Sequence, residues 1–420
     1  MSLHFTALLV FPGFLLAQDG LLDETVVTKK SLPGFSLLPA GSVLQDVMIP
    51  RYDEQRKLTG ALKAKMMTII NKTQVQGDQV TVRMFNPDGT ERGHLDLVKA
   101  LFDQERGILK ADEPVNIVSD RFTVKGSGLV YVFEQGQGFI KGPGTTTIKN
   151  PSPTAMFSPN RSSIGISALF GASILPLISA VPTPVTEAER NSMEADARSR
   201  SAEFAVDNKA ARTSLREDLA ASSEANQAIE QFLVQADLED ETTEDTGLGK
   251  AAPIEIKPDA SDTLVECDGG IYFDSDEGVW VYLKNVRVKD PRFSLSGASE
   301  LKIFFDKKPA EEATKSDKNS EKKRSFNIGS VNRIVATGTV LLKRPASGED
   351  PEIQASGRMF TYNVKTEQAI IAGGAPWVVQ GRRFVRSKSD SGILRVDLKS
   401  GEFSFDGPTE SGLPLDQKKR

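Results

Sequence analysis

Side chains able to do chemistry are scarce in this chain. Its 420 residues hold two histidines, His4 and His94, and one cysteine, Cys267. Zinc needs a set of His and Cys ligands at short spacing, and none can be drawn here. An acyl-transfer relay of Ser, His and Asp would rest on His94 alone, and no serine sits in a G-x-S-x-G turn. The single cysteine excludes an internal disulfide. Cys267 lies in the strand-like run Leu264-Val265-Glu266-Cys267, where a small buried filler is the better reading than a reactive thiol. Carboxylates are plentiful, but they fall in polar runs that read as solvated faces. The expectation is a protein with no catalytic residue, no metal and no cofactor, hence not an enzyme. With 52 Lys and Arg against 57 Asp and Glu, the net charge is −5. Nothing in that balance suits a nucleic-acid partner.

What the chain repeats is a turn. Phe102-Asp103-Gln104-Glu105-Arg106-Gly107 returns as Phe273-Asp274-Ser275-Asp276-Glu277-Gly278. It returns again as Tyr362-Asn363-Val364-Lys365-Thr366-Glu367 and as Val396-Asp397-Leu398-Lys399-Ser400-Gly401, with a looser copy at Tyr52-Asp53-Glu54-Gln55-Arg56-Lys57. An aromatic or β-branched residue closes a strand. Asp or Asn then bonds its own backbone, and Gly supplies the positive φ of the exit. Apolar runs follow each copy, so the unit is strand, turn, strand, kink, strand. Repetition of that kind predicts an all-β array whose parts stack.

Along the chain, residues 1–20 carry an uncharged apolar core from Phe5 to Ala17, which reads as a signal peptide or anchor and predicts export. Residues 42–148 form a first β-rich block. In it Leu58, Gly60, Leu62, Ala64, Met66, Thr68 and Ile70 alternate with Lys57, Lys63 and Lys65, the pattern of a half-buried strand. Residues 149–261 differ. A Pro/Ser-rich stretch leads into an apolar segment, 162–181, read as a docking segment or loose linker. A polar helix follows over about 186–236, with Thr186 as its cap. Its apolar stripe is thin (Phe204, Leu215, Leu219, Ile229, Phe232, Leu233), so a solvated linker helix is expected, then an acidic, disordered run at 237–245. Residues 262–408 form the second β block, with a charged insert at 307–324, and 409–420 a flexible tail. Val279-Trp280-Val281-Tyr282-Leu283 is apolar on both faces, so it is buried on both or meets an apolar ligand on one.

The second block resembles the OstA-like domain, the β-jellyroll of lipopolysaccharide-transport bridge proteins of LptA type. Ala336-Thr337-Gly338-Thr339-Val340 and the stretch from Ile353 through Tyr362, Gly374 and Val378 to Gly407 carry the likeness, with Asn363 where the family has Asp. The first block is similar to the LptC-type single jellyroll through YDEQRKLTGALKAKMM, LVKALFDQERGILKADEPVNI and FTVKGSGLVYVFEQG. The resemblance covers about 250 of the 420 residues. It implies an all-β fold of two OstA-like β-jellyroll blocks joined by a helical and partly disordered linker.

The function it implies follows from a sheet folded into a V around an apolar interior. Acyl chains can lie there, each buried CH₂ contributing about 0.8 kcal/mol. Phe293, Leu295, Leu301, Ile303, Phe360 and Tyr362 are the candidate lining residues. Expected partners are lipopolysaccharide or a similar amphipathic glycolipid, and other jellyroll components added by edge-strand pairing. The expected place is the periplasm, with inner-membrane association left open. The competing reading is a structural or adhesion-type β-repeat protein of the envelope with a filled core.

Overall fold

A computed structural model describes residues 38–52, 56–149, 187–236, 259–307, 328–346 and 350–412, apart from a few single positions. The apolar segments at 5–17 and 162–181, the cap Thr186, the acidic run, most of the charged insert and residues 413–420 lie outside the described residues. The stretch expected to be a flexible tail from 409 instead begins with a strand, Thr409–Gly412, held by pairing with residues 384–387.

The fold is nearly all β, as the repeated turns predict. Among the described residues, twenty strands, β1 (Val43–Tyr52) to β20 (Thr409–Gly412), belong to one antiparallel sheet, and one helix, α1 (Glu187–Ala236), accompanies them. In the first block β1, β2 (Leu58–Ile69), β3 (Gln74–Phe85), β4 (Glu91–Asp103), β5 (Ile108–Ser119) and β6 (Phe122–Val132) pair in order. Strand β6 then pairs along its length with two short strands, β7 (Gln137–Ile140) and β8 (Gly144–Ile148). These meet β10 (Gly270–Asp274) and β9 (Thr263–Cys267), which both pair with β11 (Val279–Lys289). Hydrogen bonding therefore runs unbroken from the first block into the second. The chain between β8 and β9, α1 included, is an excursion from a continuous sheet. Glycines make the seam possible: a Cβ at Gly138 would sit 2.2 Å from the Phe273 ring, and one at Gly144 would meet Ile271 at 2.4 Å.

Beyond the seam β11, β12 (Ser294–Lys307), β13 (Ile328–Arg344) and β14 (Ile353–Asn363) follow in order. The sheet then forks. One branch is β15 (Gln368–Ala372), β18 (Ile393–Asp397) and β19 (Phe403–Asp406). The other is β16 (Trp377–Gln380), β17 (Arg383–Ser387) and β20.

The long strands kink in their middles. Register shifts sit at Gly297 in β12, at Gly338 in β13 and between Leu97 and Leu101 in β4, and Asp46, Gln79 and Gly128 take positive φ in β1, β3 and β6. Each bulge bends its strand and sharpens its twist. Aligned across neighbours, the bulges fold the sheet over along one line, and its inner faces meet in a single apolar cluster from Ala64 to Leu398.

The kink in β2 also corrects one expectation. The alternation from Leu58 to Ile70 does not hold to one face. Leu62 and Ala64 point inward, but past the kink Met67 and Ile69 are buried while Met66 and Ile70 are exposed. At the kink Lys65 and Met66 are exposed in succession, beside Asp46 and Gln79 with positive φ in the neighbouring strands and with the pairing register unbroken, so every later side chain changes face.

The repeated turns fold alike. The Oδ1 of Asp103 accepts from the N–H groups of Glu105 and Arg106 at 3.1 and 3.0 Å. Asp274 accepts from Glu277, Asn363 from Lys365 and Thr366, and Asp397 from Lys399 and Ser400. Gly107, Gly278, Glu367 and Gly401 take φ of 63°, 66°, 55° and 74°. The turns share one rim of the sheet and are bonded in series. Phe133 donates to Gly107 O, Ser275 to Gly136 O, Phe305 to Gly278 O and Leu398 to Glu367 O. Asp397→Ala removes two such bonds at a half-buried carboxylate and should cost about 1–2 kcal/mol, read as a lower urea midpoint at unchanged slope.

Helix α1 is not a solvated linker. Its Ala225, Ile229, Phe232 and Ala236 are buried against Ile108, Val130, Val132, Phe139, Tyr272, Val279 and Val281 on the outer face of the sheet. Further back, Ala211 packs with Ile370, Ala372 and Ile393. Alanines at these positions bring the helix close to the strands, so a thin stripe suffices. Asp218, 1% exposed, pairs with Arg333 at 2.5 Å. Burial raises the Asp218 carboxyl above its ordinary range although Arg333 opposes the shift. The helix also explains the doubly apolar strand. Trp280 and Tyr282 face the interior, while Val279, Val281 and Leu283 face α1.

Candidate functional site

The six residues expected to line a lipid path are brought together. Phe293, Leu295, Leu301, Ile303, Phe360 and Tyr362 all belong to the interior cluster, each 2% exposed or less. Rings of Phe293 and Tyr362 meet edge to face at 5.1 Å, and Phe293 and Phe360 lie 5.9 Å apart. In this conformation protein side chains fill the space around them. The first block is looser. Its inward residues Leu44, Val47, Ile49, Leu62, Val82, Leu95 and Phe102 are only half-buried, although they pack against the same cluster.

Polar groups are few in this interior and are pushed toward neutrality. Burial raises the Tyr282 hydroxyl, with Thr146 beside it pulling the other way. Burial also takes Tyr362 up to about 12. Cys267 is buried, donates to Gly270 O at 3.3 Å, and its thiol is raised by burial. That fits filler and not nucleophile. His94 lies on the outside of β4, 2.9 Å from Glu91 and 3.5 Å from Asp96. No group of three metal-ligating side chains occurs among the described residues.

Sequence reasoning missed the way the interior is closed. The rim opposite the repeated turns carries an arginine at successive hairpins, and these reach across to the turn rim. Arg292 grips Asp290 through two bonds of 2.7 and 3.0 Å, stands 3.8 Å from Glu367, and lies 5.5 Å from the Tyr362 ring centre. Burial works against the Asp290 carboxylate, but Arg292 and Thr263 together outweigh it and hold the group below its usual range. Arg344, 4% exposed, donates to Leu398 O at 2.9 Å and Lys399 O at 3.2 Å. Gln380 donates to Gly401 O at 3.1 Å, Arg121 to Ser330 at 3.3 Å, and Arg383 stacks 5.7 Å from the Phe403 ring. Arg92, in the first block, is partly buried near Asp120 and Tyr131, its Nε without a partner among the described residues. A signal for this row was present. The pair Arg-Phe recurs at 121–122, 292–293 and 383–384, each time where a strand leaves that rim.

The sheet has three strands at its ends, β1, β19 and β20, each paired on one side only among the described residues. No helix among the described residues is long and apolar enough to cross a membrane.

No family model matches the chain, and no curated protein does. Among solved structures, the chain is similar to LptH of Pseudomonas aeruginosa, the LptA-homologous periplasmic component of the lipopolysaccharide transport device. Identity is 15%, and the match covers 36% of this chain and 95% of LptH at a TM-score of 0.27.

Proposed function

We propose that this chain is a non-enzymatic, periplasmic carrier that holds the acyl chains of lipopolysaccharide, or of a similar amphipathic glycolipid, on their way between an inner-membrane transporter and the outer membrane. The observation that carries this reading is the single apolar interior, shared by both blocks under one unbroken sheet and half-open in the first. Burial of methylene groups in such a trough binds a multi-chain lipid without any reactive side chain. The one-sided end strands suit pairing with like components, which would lengthen the trough. Lipid enters at the half-buried first-block face, around Leu62, Val82 and Leu95, and proceeds only where the second-block side chains give way.

The filled core around Phe293 and Phe360 favours the second reading, a structural β-repeat protein. The two part on a direct measurement. A photoactivatable residue at Leu62 or Val82 should cross-link to lipid in cells, and one at Leu301 or Phe360 more weakly. Protein purified under gentle extraction should carry lipid visible by mass spectrometry. Absence of both signals at all four positions selects the structural reading.

A further inference from the structure

The arginine row has a use that the fold alone does not require. Five guanidiniums, those of Arg92, Arg121, Arg292, Arg344 and Arg383, follow one another along the rim from the first block to the last fork. Their partners are mostly weak or shared. Arg292 keeps two short bonds to Asp290 but its contact with Glu367 is long at 3.8 Å; among the described residues Arg121 meets a serine hydroxyl, Arg383 a ring face, and Arg344 chiefly backbone carbonyls. Two carry buried nitrogens with no partner among the described residues, Nε of Arg92 and Nη1 of Arg344. Arg344 is the more telling, because a nearly buried guanidinium with a vacant N–H bears a real desolvation cost.

We propose that these arginines are exchangeable latches which close the mouth of the trough while its own side chains fill it and take the phosphate groups of the bound lipid when it opens. Guanidinium presents a planar fork that matches a phosphate with two parallel bonds, and such charge-assisted bonds are stronger than those to a carbonyl or a hydroxyl. A lipid whose chains lie inside must leave its head group at the mouth, where the row runs. The head group would replace Glu367 at Arg292, Asp350 and the carbonyls at Arg344, and Ser330 at Arg121. Spacing at each successive hairpin gives an amphiphile a series of equivalent stations. The latch holds the path shut when no phosphate is there to claim it. This inference rests on the carrier reading and adds the chemical class of head group and the residues that read it.

The test uses the full chain and two probes of one chain length, dodecyl phosphate and dodecanol, each below its aggregation limit, with inorganic phosphate alone as a third. Binding is followed by displacement of an environment-sensitive apolar dye. The wild type should prefer dodecyl phosphate to dodecanol by about tenfold. The double variant Arg121→Gln/Arg383→Gln, at two lightly bonded positions, should lose most of that preference, binding dodecyl phosphate more weakly and dodecanol at least as tightly as the wild type does. Glu367→Gln should shift the other way and bind dodecyl phosphate more tightly, because it removes the carboxylate that competes with phosphate beside Arg292, while Asp290 still holds the guanidinium in place. A purely structural role for the row predicts no such opposite pair of shifts. Equal affinity for both amphiphiles in wild type and variants overturns the latch and leaves the carrier standing. Inorganic phosphate binding as tightly as dodecyl phosphate also overturns it, reducing the row to an ion site. Failure of both amphiphiles to bind removes the carrier reading itself, and the latch with it.

Discussion

Trp280→Ala should cost about 4 kcal/mol and should loosen both halves of the protein at once. Trp280 is 2% exposed and stands just past the seam, packed against Phe122 of the first block at 4.7 Å, Phe305 at 5.7 Å and Phe273 at 6.0 Å. Truncation removes the ring's transfer energy and leaves a cavity that neither β6 nor β12 can collapse into, since both are tied into ladders on each side. The indole N–H has no acceptor among the described residues, so Trp280→Phe discards an unsatisfied donor and should cost no more than about 1–2 kcal/mol. Hydrogen exchange distinguishes one core from two. Amides of β3 to β5 should lose protection in Trp280→Ala together with those of β12 to β14. Protection kept in the first block and lost only in the second would mean that the seam does not couple them. The remaining tryptophan, Trp377, reports the second block by fluorescence in the same variant.

Legibility in the sequence followed the range of the interaction. The turn at Asp397 could be read because one carboxylate and one glycine, four residues apart, decide it locally. The inward set Phe293, Leu295, Leu301 and Ile303 could be read because alternation survives on either side of Gly297. The burial of Met67 in place of Met66 could not be read, because it turns on a kink shared with Asp46 and Gln79 in the neighbouring strands, which the strand's own residues do not announce. Nor could the docking of α1. Ala211, Ala225 and Ala236 look like helix formers in a polar stretch, and only the facing strands, apolar on their outer side at Val279 and Val281, show that something must cover them. The arginine row was the hardest case. Arg344 and Leu398 are 54 residues apart, and folding over at the bulges is what brings their rims together. The Arg-Phe pairs marked it, but only the three-dimensional arrangement gives that repetition a meaning.

Raising the pH from 8 to 10 should make this protein more stable, an unusual direction that traces to Lys302. This lysine sits on β12 opposite Val281, 1% exposed, on the face turned to α1. Burial pushes its ammonium down to about 8 from an ordinary 10.5. Glu300 touches it and favours the charged form. In the unfolded chain Lys302 keeps its proton up to the ordinary value, while in the folded chain it gives the proton up near 8. The unfolded state therefore binds more protons between those limits, and unfolding free energy climbs with pH across them. The gain is at most about 3 kcal/mol over the full window, less whatever Glu300 returns. Above about pH 10 the trend must reverse, because Tyr272, Tyr282 and Tyr362 are held neutral by burial in the fold and would ionise more readily unfolded. Lys302→Met keeps the length and apolar stem, removes the buried charge, and leaves Glu300, 22% exposed at its side chain, able to turn to water. At pH 7 it should stabilise the protein by about 2 kcal/mol, and its urea midpoint should show no rise from pH 8 to 10, falling as the tyrosines begin to count, where the wild type rises. A variant less stable than the wild type at pH 7, with the rise intact, would place the proton release on another group and give Lys302 a binding role beneath the helix.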